Sequence, residues 1–444
     1  MNFAKRSTTD SRGDTHVENE TKTKVVLMRP IPSITRFVKL VLSSQVFSIL
    51  LILMSLLISI KVHPKDGSDF RWYWTIAQCV KDGVDPYIPT IRNYYTQFHP
   101  KTFDIAHMGY PPTTGLVLLP FGLINFSIAA WIYKFLSVAI LVTGLLKVVS
   151  NTKSRYALGI VGLIMIWAPV RWNSTNLQVT MLIAGMYCWF IYFVRERKII
   201  PAVVLSLLAM MLKVSDSLPF VLLLFIAFSW RVVVATVMSY AALLVASFAR
   251  VGGWQAFLNW IKDLREFSHS DDPTNAISPY TKYSGVRIDI GYFLNGVHDQ
   301  FPYASAIAIM TVVILCVFAL IKGIHKQPIS TDLVIFTTVL GLVPTYHHLY
   351  AWLYFAPILA MAFVSEKHWK LTYDRIPLLL LCIYGFTTTM DQHVKLLETY
   401  TNTSCVIAFK TYPSLLALAL LFTSLYVVVK KQGAVSRASV MCLT

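Results

Sequence analysis

Apolar runs long enough to cross a bilayer recur along this chain from residue 44 almost to its end. A helix needs about 20 predominantly apolar residues to span the hydrocarbon core. In lipid every backbone N–H and C=O must find its partner inside the protein, so repeated runs of this length dictate a bundle of helices. Twelve candidate spans are read at 44–62, 126–149, 155–170, 176–195, 199–213, 217–230, 231–249, 303–322, 331–345, 347–364, 375–389 and 412–430. Several fall short of 20 residues, which predicts tilted or broken elements. Charged residues make up only 14% of the chain, against about 25% in soluble domains. The expected fold class is an all-α polytopic membrane protein.

The net charge is +17. In a soluble protein that excess would suggest nucleic acid, but no basic domain stands apart from the apolar runs, so nucleic acid is not an expected partner. Lys and Arg collect in the cytoplasmic loops of membrane proteins, and that accounts for the charge. Residues 1–37 are polar and mixed in charge, which reads as a disordered cytoplasmic tail. A single transmembrane domain is expected over 38–432, with a short cytoplasmic tail at 433–444. No small-residue cleavage site follows the first apolar run, so a signal peptide is not expected. The six cysteines show no CxxC spacing and point to neither a disulfide framework nor a zinc site. Internal repeats and a Walker motif are both absent, which argues against a repeat-built transporter and a nucleotide-driven pump.

The stretch 113–125, TTGLVLLPFGLIN, decides the topology. The tail carries Lys22, Lys24, Arg29, Arg36 and Lys39, so the N-terminus is assigned to the cytoplasm. If 113–125 only dips in from the outer side, the clusters at Lys147/Lys153/Arg155, Arg195/Arg197/Lys198, Lys322/His325/Lys326, Lys367/Lys370/Arg375 and Lys430/Lys431 all fall inside. If it spans, most of them fall outside. A re-entrant or half-length helix is therefore expected there, and Pro111, Pro112 and Pro120 suit a broken element. Both termini are then cytoplasmic. Three outer loops result, at 63–125, 250–302 and 390–411, with short outward turns at 171–178 and 344–350. Acids, histidines, amides and aromatics gather on that face.

In "GSDFRWYW" Gly67 and Ser68 can cap a helix beginning at Asp69. Phe70, Tyr73, Trp74 and Ala77 form one stripe, so a short amphipathic helix is expected with its aromatics in the headgroup zone, ending at Gly83. Two readings of Asp69 stand. It is a favourable first-turn acid held ionised by the helix dipole, or a general base that takes the proton of an attacking hydroxyl. Asp66, Asp82 and Asp85 read as mostly structural. Tyr110, in "MGYPPTTG", is either part of a stiff turn or a lipid contact. Asn176 and Gln178, in "NSTNLQ", either cap a helix or bind sugar hydroxyls. Arg171 faces a lipid phosphate or snorkels. Lys213, at the outer end of a span, has the same two readings. His347 and His348, in "YHHLYAW", point about 100° apart on a helix, so one of the two is expected to face a site. Arg287, in the loop 250–302, is a further phosphate-ligand candidate.

Taken in order, "DFRWYW…GVDPY…YPPTTGLVLLPF", then "NLQ", "LLAMMLKVSDSLP" and "PTYHHLYAWLYFAP", the motifs resemble those of glycosyltransferase family 87, a GT-C class family, along roughly residues 67 to 360. The resemblance implies a GT-C-type transmembrane fold and a membrane enzyme that takes mannose or another sugar from a polyprenyl-phosphate donor. The acceptor would be a lipid or glycan, and the reaction would be inverting, on the outer face of the cytoplasmic (inner) membrane. By position, the family's base maps to Asp69 and its span histidine to His347 or His348. Lys213, Arg287 and Arg171 would help hold the donor phosphate, and Asn176, Gln178 and Tyr110 would line the site. This chemistry requires no metal and no other cofactor, and a divalent ion is compatible with it. Two departures stand out. Leu177 replaces the small Gly of the family's Asn-Gly-Gln, and "IRNYYTQFHPKTFDIAH" lengthens the gap before Tyr110. The alternatives are a lipid-linked sugar transporter or flippase, which would carry mid-span charges, and a polysaccharide polymerase or ligase using the loop 250–302.

The topology is checked by cysteine labelling. A single cysteine placed near residue 350 of a cysteine-free variant is expected to react with a membrane-impermeant maleimide from the outer side. Reaction from the cytoplasmic side alone would overturn the re-entrant reading of 113–125.

Overall fold

The computed structural model describes residues 40–61, 69–96, 108–150, 154, 156–269, 289–297, 303–321, 329–343, 349–364, 376–387 and 403–441. All but Leu40 belong to one compact unit, Val41–Thr444. Every regular element among the described residues is helical. In chain order these are α1 (Gln45–Lys61), α2 (Phe70–Asp82), α3 (Pro89–Thr96), α4 (Pro112–Val117), α5 (Leu119–Gly122) and α6 (Phe126–Ser150). They continue with α7 (Ala157–Met165), α8 (Ala168–Asn176), α9 (Val179–Arg195), α10 (Ile199–Leu212), α11 (Val214–Ala227) and α12 (Trp230–Val251). Next come α13 (Gly253–His269), α14 (Ile290–Val297), α15 (Ala304–Ile321) and α16 (Thr331–Leu342). A 3-10 turn, Leu349–Tyr354, leads into α17 (Phe355–Phe363), followed by α18 (Ile376–Thr387) and α19 (Thr403–Met441).

Among the described residues, three helices are long and apolar enough to cross a membrane: α6, α12 and the Thr403–Lys430 part of α19. The span expected at 155–170 is instead the bent pair α7 and α8, with 52° between them. Pro169, at the start of α8, has no N–H to carry the α7 ladder onward, and Trp167 is extended. The stretch 171–176, expected as an outward turn, is the rest of that second helix. The other apolar helices are short, at 10–17 residues. The last helix is longer than the expected 412–430 and runs on to Met441, into the stretch read as a tail.

The outside of the bundle is apolar. Val46 and Leu50 on α1, Met238 and Val245 on α12, Met310 and Ile314 on α15, and Phe422 and Tyr426 on α19 are all exposed. A soluble monomer rarely shows apolar surface on this scale, whereas lipid covers it without cost. Inside, α6 and α9 form the most extensive helix pair. Gly144 and Gly185 let them touch: a Cβ on Gly144 would lie 2.8 Å from the Gly185 carbonyl oxygen. Small residues at a helix crossing are how membrane helices gain close packing. The chain is therefore a helical protein of membrane type.

Residues 112–122 are helical in two short pieces that break at Leu118. Eleven residues at about 1.5 Å each reach roughly 17 Å, too little to cross the hydrocarbon core. These pieces pack on α2, and that helix departs from expectation. It begins at Phe70 with Asp69 as its N-cap, and it stops at Gly83 in the left-handed conformation that glycine favours. Its aromatics do not form an exposed face. Phe70, Tyr73 and Trp74 are buried within the protein, as are Arg71 and Gln78. Phe70 stacks on Tyr133 of α6 at 4.8 Å between ring centroids. The Trp74 indole N–H donates to the Ile124 carbonyl at 3.2 Å. α4 and α5 fold over the Ile76, Ala77 and Val80 side of α2, and Gln78 Nε2 donates to the Gly122 carbonyl at 2.5 Å.

Gly115 is the contact that permits this cover. A Cβ there would meet the Ile76 carbonyl oxygen and a Val80 methyl, each at 2.7 Å. Backbone cannot give way cheaply, so Gly115→Ala is expected to destabilise the protein by about 1–3 kcal/mol. A melting temperature of the purified variant equal to wild type would show that the two helices are not in contact.

Candidate functional site

The N-terminus of α2 is tied to the end of α8. The Asp69 N–H donates to the Asn176 carbonyl at 2.9 Å. As an N-cap, Asp69 has helical backbone angles and makes no side-chain cap hydrogen bond. Its carboxylate is therefore not spent on capping. Burial pushes its pKa up to about 7, and the Arg71 and Lys213 cations pull against that rise without cancelling it. The helix-dipole expectation of a firmly ionised Asp69 is thus corrected. Loss of water around the carboxyl outweighs both the cations and the helix end.

Beside Asp69 stands a group of tyrosines. The Tyr73 and Tyr110 hydroxyls lie 3.1 Å apart, with the two rings edge to face at 5.0 Å. Tyr73 also donates to Gln178 Oε1 at 3.3 Å, and its hydroxyl oxygen accepts the Val179 N–H at 3.3 Å. Burial, together with the neighbouring Asp69 charge, holds both phenols above the ordinary tyrosine range, so they remain protonated donors. Gln178 does not cap α9 with its side chain. Its amide oxygen serves Tyr73 instead. Asn176 donates from Nδ2 to the Tyr350 hydroxyl at 3.2 Å, which brings the 3-10 turn to the same corner.

Leu177 sits between these amides at φ 52° and ψ 43°. A left-handed backbone costs a non-glycine residue about 1 kcal/mol. Burial of the Leu177 side chain returns about 2 kcal/mol, enough to offset that cost.

Lys213 lies where α10 ends and α11 begins, in extended conformation with φ −162°. Ending a helix inside a membrane protein leaves carbonyls without partners. The hydroxyls of Thr113 and Thr114 fill that need. Thr113 donates to the Met211 carbonyl at 3.0 Å and Thr114 to the Leu212 carbonyl at 3.0 Å. The half-helix thus stabilises the break that presents Lys213. The Lys213 Nζ pairs with Asp216 Oδ1 at 2.9 Å, with the Lys213 side chain 24% exposed and that of Asp216 fully buried.

The segment ahead of the half-helix is clamped from α13. Asp263 pairs with Arg92 of α3 and accepts the Met108 N–H at 2.7 Å. The Tyr87 hydroxyl donates to the Tyr110 carbonyl at 2.8 Å. Asp85 accepts from the Asn259 side chain at 2.7 Å and from the Tyr87 N–H at 2.8 Å, a structural role as expected. Tyr110 is therefore held at both its backbone and its hydroxyl.

Of the residues singled out in sequence, Asp69, Tyr110, Asn176, Gln178 and Lys213 come to one corner. Arg171 is exposed one and a half turns earlier on α8, and no contact brings it to that corner. His347, His348, Arg287 and Asp66 lie outside the described residues. Sequence reading missed Arg71, Tyr73, Tyr350 and Asp216. The spacing of Lys213 and Asp216, three apart across a helix start, was a signal available for one of them. Among the described residues, no three His, Cys, Asp or Glu side chains gather as metal ligands.

Neither a curated protein nor a solved structure matches the chain. The family profile described as Glycosyltransferase family 87 matches residues 109–343, just over half of the chain, and takes in Tyr110, the amide pair and Lys213. The chain belongs to glycosyltransferase family 87.

Proposed function

We propose that this glycosyltransferase takes a sugar from a polyprenyl-phosphate donor and passes it, with inversion, to a hydroxyl of a lipid or glycan acceptor. The reaction is placed at the outer face of the cytoplasmic membrane. Asp69 is the general base. The acceptor oxygen forms its bond to the anomeric carbon as its proton passes to the Asp69 carboxylate. The anomeric C–O bond breaks with its electron pair going to the polyprenyl phosphate, a leaving group that needs no acid.

The observation that carries this reading is a half-buried carboxyl with a pKa of about 7, flanked by Arg71 and Lys213. A base is most effective when its pKa lies near the working pH. Here burial supplies the basicity, and the cations keep an ionised fraction available. An ammonium has three donors, so Lys213 can serve Asp216 and a donor phosphate oxygen together. Tyr73 and Tyr110, both protonated, are hydroxyl donors beside the base. Asn176 and Gln178 line the same corner. His347 or His348, Arg287 and Arg171 remain candidates for the phosphate by resemblance and charge.

Asp69→Asn keeps the shape and removes the base. It is expected to lower transfer from polyprenyl-phosphate mannose by about 10²–10⁴-fold. Wild-type turnover in the purified variant would end the base assignment. The same variant should melt no lower than wild type at pH 8. The folded pKa lies above the unfolded value of 3.8, so the native state binds the extra proton. Asp69 therefore costs stability increasingly as pH rises from about 4 to about 7, and the amide escapes that cost.

The pH profile of transfer should rise through about pH 7 as Asp69 ionises. Removing a cation that favours the carboxylate raises its pKa. Lys213→Met is therefore expected to displace this acid limb to higher pH, and a limb that stays put would dissociate Lys213 from Asp69.

A further inference from the structure

Lys213 pairs with one carboxylate and acts by charge on a second. It touches Asp216 at 2.9 Å, and its charge is felt at Asp69. Asp216 is the better anchored of the two. It is fully buried, and besides Lys213 it accepts the Thr180 hydroxyl of α9 on Oδ2 at 2.9 Å. The Ser215 hydroxyl reaches its Oδ1 at 3.1 Å. Its backbone N–H closes the first turn of α11 onto the Lys213 carbonyl at 3.1 Å. A buried carboxylate held on both oxygens is a fixed point, whereas the Lys213 side chain is long and partly exposed.

We propose that Asp216 is the positioning residue of the site: it holds the Lys213 ammonium away from direct contact with Asp69, so that the base keeps its basicity while the cation stays available to an incoming phosphate. The proposal deepens the reading of Asp69 as base and rests on it. The physical need is plain. A direct ion pair with a lysine at contact distance lowers a carboxylate pKa by about 1–3 units, which would leave Asp69 a weak base. Distance from the ammonium avoids that loss. Asp216 is not placed to do the proton transfer itself, since both its oxygens are occupied and its side chain is closed to solvent. A first-turn acid also favours a helix start, and that bland role is what the experiment must separate.

Burial, Arg71 and Lys213 set the Asp69 titration, and the Tyr73 and Tyr110 phenols feel its charge in return. The test follows that titration directly by infrared difference spectroscopy of the full chain, through the protonated carboxyl band that Asp69→Asn removes. It needs neither donor nor acceptor. In Asp216→Asn the freed ammonium turns to Asp69, and the midpoint is expected to fall by about one pH unit or more. In a Lys213→Met background the same change should have no further effect. Should Asp216→Asn fail to fold, Thr180→Val loosens the anchor while leaving the charge, and a smaller fall is expected. A midpoint unchanged in Asp216→Asn, or in Thr180→Val where that variant stands in, overturns the proposal. So does a fall of equal size without Lys213, which would make Asp216 a background charge only. Failure of the base reading shows separately, as retained transfer in Asp69→Asn.

Discussion

Two carbonyls, those of Met211 and Leu212, end a helix within an apolar protein, and the hydroxyls of Thr113 and Thr114 receive them. Much of the site hangs on this exchange. Without partners for those carbonyls, α10 would have to continue as a helix, because exposed backbone acceptors cost several kcal/mol away from water. With them, the chain can turn extended at Lys213, start α11 afresh, and set Asp216 in its first turn. The half-helix that supplies the hydroxyls also covers α2 through Gly115. One short, proline-broken element therefore ties the helix that Asp69 caps to the break that carries Lys213.

Charge is economical in this site. Asp69 is raised by burial and lowered by Arg71 and Lys213, and the balance falls near neutrality. Two phenols add hydrogen-bond donors without adding charge. The second carboxylate, Asp216, keeps Lys213 from carrying an unpaired charge at low dielectric, a state that is costly to bury. Arg92 and Asp263 repeat the principle at a distance. That buried pair orders residue 108, and through the next two residues it fixes the position of Tyr110.

The legible and the illegible parts of the fold differ in kind. The apolar periodicity of 126–149 and 231–249 marked helices that the structure finds at nearly those limits, because length and hydropathy alone decide such elements. The prolines of 111–120 correctly indicated a broken element. The run 155–170 read as one span because its composition is continuous, yet Pro169 bends it. The aromatic stripe of α2 read as a membrane-surface face. Amphipathicity reports that one side is apolar, and it does not tell lipid from protein as the cover. The site shows the same division. Asp69, Tyr110, Asn176, Gln178 and Lys213 stood out as polar residues at the ends of apolar runs. Tyr73 was absorbed into the apolar stripe because its hydroxyl partners lie 37 and 105 residues away.

By itself the sequence determined that this chain is helical and of membrane type, and its ordered motifs carried the resemblance that the family match bears out. These are properties of hydropathy and local order, and both are written in one dimension. Only the tertiary structure decided that Asp69 is titrated by burial rather than by its helix end, that Leu177 takes a left-handed backbone, and that Lys213 pairs with the buried Asp216. Each depends on desolvation or on contacts between segments far apart in the chain, and neither quantity exists until the helices pack.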